Sequence, residues 1–360
     1  MYQVNPDIKK SETLDKRFYQ DHKAWDLLKS YTFSQGWHLS VEKNSNTDAN
    51  LIPFVLLSDF LDEPLLWALS HQNQWKCLSN VCTHRGNILV DQPKKSRLIQ
   101  CGYHGRCFHL DGQLKSMPEF EAVEDFPRIE DHLHSFDYEK IGNFHFVQLI
   151  KDDSFFTLFG DFIKRMFWFP FDLLVLDLKQ SVTYEVNAHW ALYVENYLEG
   201  FHVPFVHPGL GEKLDYANYE TELFSLSNLQ LGVAETDSPC FDLPQDSTDY
   251  GKSIYAYYWW FYPNLMINIY TWGVSINIVE PIDSNKTRVK FYTYLLPQAH
   301  QDYDPNLIRQ TEMEDEKIVQ SVSKGIKSKF YPNGRYSVSR EKGIHHFHML
   351  LCNDLQKYSQ

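Results

Sequence analysis

The chain has 360 residues, of which 43% are apolar and 16% aromatic, which suits two compact domains with real cores and excludes a disordered polymer. Its formal net charge of −13 argues against a nucleic-acid binder, which would need a basic face. MYQVNPDIKKSETLDKRF lacks the apolar region of a signal peptide, and the most apolar run, 167–178, is short and holds Pro170, Asp172 and Asp177, so neither a leader nor a membrane span is expected. Six cysteines without a secretory signal favour thiols or metal ligands over a disulfide framework. The expectation is a cytoplasmic enzyme.

Residues 1–20 are polar and read as a loosely held lead-in. From 21 to about 33, Trp25, Leu28 and Tyr31 recur at helical spacing, so 1–35 form a helical N-terminal lead-in. After Gly36 come short β-like runs at 51–57, 64–70 and 75–78, separated by polar turns. Two boxes interrupt them: Cys82-Thr83-His84-Arg85-Gly86 and Cys101-Gly102-Tyr103-His104-Gly105. Each brings one Cys and one His to a single centre on a loop that glycine permits. Two thiolates for one iron and two imidazoles for the other make the ligand set of a Rieske [2Fe–2S] cluster. A zinc finger pairs Cys with Cys and His with His along the chain, whereas this order alternates. Cys107 lies close by and reads as a small buried filler. Alternating runs continue to about 149, giving an all-β domain over 36–150.

The remainder, 151–360, opens with an aromatic-rich segment at 155–178 and a strand at 181–186. The stretch NYLEGFHVPFVH at 196–207 holds His202 and His207, with Glu199 three residues before the first. Imidazole suits iron, and two His with one carboxylate leave coordination positions open. Trp190, Leu192, Tyr193, Tyr197 and Leu198 make an apolar helical segment, and Pro204 stops one regular helix from carrying both histidines. Residues 210–235 give few signals and read as a connection. The run 255–282 is dense in β-branched and aromatic residues, two or three buried strands, and 288–296 is another. A long helix is expected over 305–327, with Pro305 in its first turn. At about 100° per residue, Ile308, Thr311, Ile318, Val319, Val322 and Ile326 share a face with Asp315 at its centre, Glu312 at its margin, and Glu314 and Glu316 pointing away. An acid in an apolar stripe needs a partner, and with two candidate His ligands in hand Asp315 is the third. The triplet His345, His346 and His348 reads as structural.

The alternating C-x-H-R-G and C-x2-H-G boxes identify the first domain as similar to Rieske proteins, with Cys82 and Cys101 on one iron and His84 and His104 on the other. Asn87 and Tyr103 stand where respiratory Rieske proteins carry an extra cysteine pair, which resembles the oxygenase type. Over nearly its whole length the chain resembles the α subunit of a Rieske non-haem iron oxygenase of the aromatic-ring-hydroxylating superfamily, closest to the choline and carnitine monooxygenase branch. ENYLEGFHVPFVHPGL, YPNLMINIY, MEDEKIVQSVSKGI and GRYSVSREKGIHHFHMLL carry that resemblance. It implies an α+β chain: an all-β Rieske domain followed by a helix-grip catalytic domain, an antiparallel sheet with helices. It further implies mononuclear Fe(II) on His202, His207 and Asp315, with Glu199 as the acid that links the two metal sites. The implied partners are a small organic substrate, a quaternary ammonium compound, and a separate flavin or iron–sulfur reductase (or ferredoxin) passing electrons from NAD(P)H. A homotrimer would bring one subunit's cluster beside the next subunit's iron. Rings available to a cationic substrate are Tyr193, Tyr197, Phe205, Trp259, Trp260 and Trp272. The alternatives are ring hydroxylation of a neutral aromatic, or electron carriage with a docking domain.

Overall fold

The computed structural model describes residues 2–42, 48–70, 72–297 and 303–358. It divides into two units, one of residues 34–152 and one of residues 1–33 with 153–360.

In the first unit, β1 (Trp37–Ser40), β2 (Leu51–Leu56), β3 (Glu63–Leu69), β4 (Trp75–Ser79), β8 (Ser135–Ile141) and β9 (Phe144–Gln148) form an antiparallel sheet in the order β1-β9-β8-β4-β3-β2. A smaller sheet joins β5 (Ile99–Gln100), β6 (Cys107–Phe108) and β7 (Leu114–Ser116). The boxes fall in the loops after β4 and β5. Gly86 and Gly105 have φ of +70° and +74°, a left-handed conformation that a side chain would resist, which fixes glycine at the end of each loop. Leu66, Leu78, Leu89, Ile99 and Phe108 pack around Cys82 and Cys101.

The second unit is a seven-stranded antiparallel sheet. Its strands are β10 (Val175–Val186), β11 (Glu220–Leu223), β12 (Ser227–Val233), β13 (Ile254–Phe261), β14 (Leu265–Tyr270), β15 (Gly273–Asp283) and β16 (Lys286–Leu295), ordered β10-β16-β15-β14-β13-β12-β11. Along β16 burial alternates, whereas β13, β14 and β15 are buried at almost every position because both faces are covered. The run 255–282 is three strands. The connection expected at 210–235 contains β11 and the fully packed β12, an inner strand whose buried polar residues hide any alternation.

Helices α1 (His22–Leu27), α2 (Phe155–Arg165), α3 (Trp190–Tyr197), α4 (Val203–Val206), α5 (Pro208–Gly211), α6 (Pro305–Gly325) and α7 (Lys342–Tyr358) complete this unit. Asp304 caps α6 by accepting from the amides of Asn306 and Leu307, with Pro305 at the first helical position. Helix α6 packs on α3 and β10, and α3 on β15. After α1 the chain continues as a π-helical turn over Leu28–Phe33. That turn shifts the phase, so Ala24, Leu28, Thr32 and Phe33 are buried while Tyr31 is exposed.

The described part of the lead-in is firmly held, contrary to its polar composition. Ser11, Leu14 and Phe18 are buried, and Arg335 donates to the carbonyls of Ser11 and Lys9 at 2.8 and 2.7 Å. The C-terminal histidines serve this packing. His345 Nε2 meets the Asn5 carbonyl at 2.7 Å, and His348 Nδ1 meets the Tyr336 hydroxyl at 2.6 Å.

Candidate metal centres and substrate cleft

In the first unit the two boxes face one another. Cys82 and Cys101 are buried side by side, and the rings of His84 and His104 lie 4.9 Å apart at 74°. Cys101 resists the rise that burial alone would cause: the amides of Tyr103 and His104 and the Cys82 thiol lower it below an ordinary thiol. Asn87, at the position of a respiratory-type cysteine, donates to Cys101 Sγ at 3.6 Å. Tyr103, at the other, is exposed with its ring 3.7 Å from that of His104. Two inward thiols and two adjacent imidazoles fit a cluster with unlike irons. Cys107 is buried in β6.

In the second unit His202 and His207 stand at either end of the single turn α4, with Pro204 inside it. So short a turn lets both rings swing to one point, and their Nε2 atoms are 3.1 Å apart. Asp315, from the middle of α6, brings Oδ1 to 2.9 Å from His207 Nε2 and 3.4 Å from His202 Nε2. These three groups converge as candidate metal ligands, and Glu312 stands outside them. Two imidazoles and a carboxylate on one side of a point fit a ferrous site with open positions.

The other ring nitrogens are also held. Glu199 Oε1 receives His202 Nδ1 at 2.7 Å, and its Oε2 accepts from the backbone amides of His202 and Phe201. Glu314 Oε2 receives His207 Nδ1 at 2.8 Å, so it does not point away as its helical phase suggested. Its long side chain reaches round α6, steadied by Gln310 Nε2 at 2.8 Å. A carboxylate on each Nδ1 fixes the tautomer that leaves Nε2 free for a metal. Burial works against charging His202, yet Asp315 and Glu199 together raise it to about 10.

A cleft opens on this triad, with Tyr193, Tyr197, Tyr219, Tyr258 and Tyr270 in its wall. Of the rings singled out from the sequence, Tyr193 and Tyr197 line it. Phe205 is exposed, Trp259 and Trp260 are core, and Trp272 lines an adjoining hollow. Tyr219, Gln230, Tyr258, Asn268, Tyr270 and Asn277 escaped the sequence reading. The available signal was polar residues inside otherwise apolar strands, Gln230 in β12 and Asn268 and Asn277 in β14 and β15.

Residues 55–127 match the Rieske [2Fe-2S] domain, and residues 176–353 match the ring hydroxylating alpha subunit (catalytic domain). The chain is 27% identical to the carnitine monooxygenase oxygenase subunit of Escherichia coli (strain K12), covering 94% of this chain and 93% of that one. It is 28% identical to the chloroplastic choline monooxygenase of Arabidopsis thaliana, covering 77% and 68%. Among solved structures it resembles the quaternary ammonium Rieske monooxygenase CntA in complex with γ-butyrobetaine, with TM-score 0.78, 22% identity and coverage of 99% and 97%. The fold is also that of naphthalene 1,2-dioxygenase from Rhodococcus sp., with TM-score 0.72, 12% identity and coverage of 97% and 95%. Among the described residues no helix is long and apolar enough to cross a membrane. The alternating ligand boxes, the convergent triad and both domain matches together make this chain a member of the Rieske non-haem iron oxygenases, an oxygenase α subunit with a Rieske [2Fe–2S] cluster and a mononuclear iron, dependent on electron-transfer partners.

Proposed function

We propose that the chain is the terminal oxygenase of a system that hydroxylates a quaternary ammonium compound such as choline, a betaine or carnitine. The observation that carries this reading is the cleft beside the triad: among the described residues five tyrosines line it and no Lys or Arg does. Aromatic faces stabilise a desolvated ammonium by about 2 kcal/mol or more.

Cys82, His84, Cys101 and His104 hold the cluster in this reading, and His202, His207 and Asp315 hold the iron. Iron there supplies the reductive activation of dioxygen. One oxygen atom enters a C–H bond, and the other leaves as water with two electrons and two protons. At an N-methyl carbon the resulting N-hydroxymethyl group separates as formaldehyde, leaving the tertiary amine and a proton; at an alcohol carbon the product is an aldehyde. The chain's own residues orient and exclude. Glu199 and Glu314 hold the two imidazoles, and the tyrosines keep water from the reacting carbon.

A separate reductase supplies the electrons, and a homotrimer carries them from the Rieske domain of one subunit to the catalytic domain of the next through Glu199. The structure of one quaternary ammonium Rieske monooxygenase that this chain resembles, with TM-score 0.78 and 20% identity, gave insight into inter-subunit electron transfer, which supports this reading for the present chain.

The test is turnover with a surrogate reductase over a panel of methylammonium compounds, reading oxygen uptake with formaldehyde or aldehyde. Asp315→Ala should keep the cluster spectrum and lose turnover. Turnover of a neutral aromatic with none of any methylammonium compound would refute the substrate class. Mixed trimers of Cys101→Ser and His202→Ala subunits should regain activity, and an assembled but inactive mixture would refute transfer between subunits.

A further inference from the structure

We propose that Glu312 is the anionic anchor for the substrate's cationic head and so the residue that sets charge specificity. This deepens the quaternary ammonium reading and rests on it.

Among the described residues three carboxylates line the cleft: Glu199, Glu312 and Asp315. Two are committed elsewhere. Asp315 faces both imidazoles, and Glu199 is taken up by the His202 ring and two backbone amides. Glu312 has only neutral partners: the Tyr193 hydroxyl donates to its Oε2 at 3.0 Å, and the Asn277 side chain lines the same cleft. Among the described residues no Lys, Arg or His pairs with it. A half-buried carboxylate without a counter-charge is costly, and its acid form gains accordingly. Burial, and then repulsion from Asp315, push Glu312 well above the ordinary carboxylate range, although Tyr193 and Asn277 pull the other way.

The geometry explains why a site would keep such a group. Tyr193 fixes the carboxylate from α3, while α6 holds its backbone. Glu312 sits one helical turn before Asp315, so a ligand neutralised at Glu312 is held on the same side of α6 as the triad. It also lines the adjoining hollow with Tyr270 and Trp272, so the anion stands where the two cavities meet. A quaternary ammonium offers no hydrogen-bond donor. Its head is recognised by ring faces and by an anion that need not approach closely, the combination that Glu312 and the tyrosines provide.

The test compares a cation with a neutral molecule of the same shape. The holoenzyme, kept under argon so that no turnover occurs, is titrated by calorimetry with choline, γ-butyrobetaine and tetramethylammonium, and with 3,3-dimethylbutan-1-ol, the neutral isostere of choline. The wild type should bind at least one cation more tightly than the alcohol. Glu312→Gln keeps the size and can still accept from Tyr193; it should weaken cation binding by about tenfold or more and alter alcohol binding by less than about threefold. If the wild type discriminates and Glu312→Gln discriminates equally, the anchor is elsewhere and only this assignment falls. If the variant loses both ligands equally, Glu312 is a structural residue and the proposal is overturned. If the wild type never prefers a cation, the substrate class itself is wrong and this inference falls with it.

Discussion

His189 sets a limit on acid tolerance in the catalytic unit. Its side chain is buried, its Nδ1 accepts from the Ala191 amide at 3.2 Å to cap α3, and Phe18, Tyr19 and Trp25 meet it edge-on. An imidazolium there would lose the accepting nitrogen and sit desolvated among rings, so burial lowers the pKa from 6.5 to about 3. With the folded-state value depressed, the unfolded chain takes the proton first as pH falls. The contribution is therefore complete above about pH 6.5 and is lost progressively toward pH 3. At pH 5 the unfolded state lies about 1.5 units below its pKa, and at about 1.36 kcal/mol per unit this removes about 2 kcal/mol relative to pH 7. His189→Asn retains a capping oxygen and cannot titrate. Urea unfolding followed by fluorescence at pH 7 and pH 5, on wild type and variant, isolates the effect as a difference of differences in which other groups cancel. The expected value is about 2 kcal/mol; one below about 0.5 kcal/mol would show that His189 is not held neutral by its surroundings.

Two further predictions test the scaffold and the cluster. Cys101→Ser should bleach the brown colour of the cluster while leaving mononuclear iron bound, and a colourless wild type holding stoichiometric zinc after anaerobic purification would sink the cluster assignment. Arg165 pairs through four hydrogen bonds of 2.7 to 3.0 Å with Asp249 and Glu222, and Arg165→Met would strand the buried Asp249 with Lys252 alone at 3.3 Å. A loss of about 3 kcal/mol or more is expected, seen as a fall of about 6 °C or more in the unfolding temperature of this unit; a fall under about 2 °C would count against it.

What the sequence made legible follows from how locally each feature is written. The candidate cluster residues lie in two pentapeptides, each of which builds its own loop, so their spacing is written locally. His202 and His207 sit within one stretch broken by Pro204, and that break is what joins their Nε2 atoms. Asp315 required only the phase of a regular helix. Glu314 failed the same argument, because phase describes where a Cβ points and not where a three-bond side chain can reach. Helix α6 also departs from its pattern, since Ile318 and Val322 are exposed despite lying on the apolar stripe.

Function itself erased the remaining signals. Strand β12 was missed because Asn228 and Gln230 are buried polar residues, and Gln230 is committed to Tyr197 and Tyr219 at the cleft. An inner strand that also lines a polar cleft carries neither a continuous apolar run nor an alternation. The lead-in was misjudged for a related reason. Beside buried Leu14 and Phe18, it is held through backbone carbonyls taken by Arg335 and His345, from the far end of the chain, and these bonds leave no mark in composition. Position on the sheet rather than residue type separates Tyr258 and Tyr270, which face the cleft, from Trp259 and Trp260, which are core. Adjacent residues of a strand point to opposite faces. Pairing Tyr258 with Asn268 and Trp259 with Ile267 across β13 and β14 therefore assigns one row to the cleft and the next to the core, while Trp260, on the row of Tyr258, lies further along the strand under Phe347 of α7. The lining of the cleft is thus a property of strand register and of position along each strand, which no single stretch of the chain encodes.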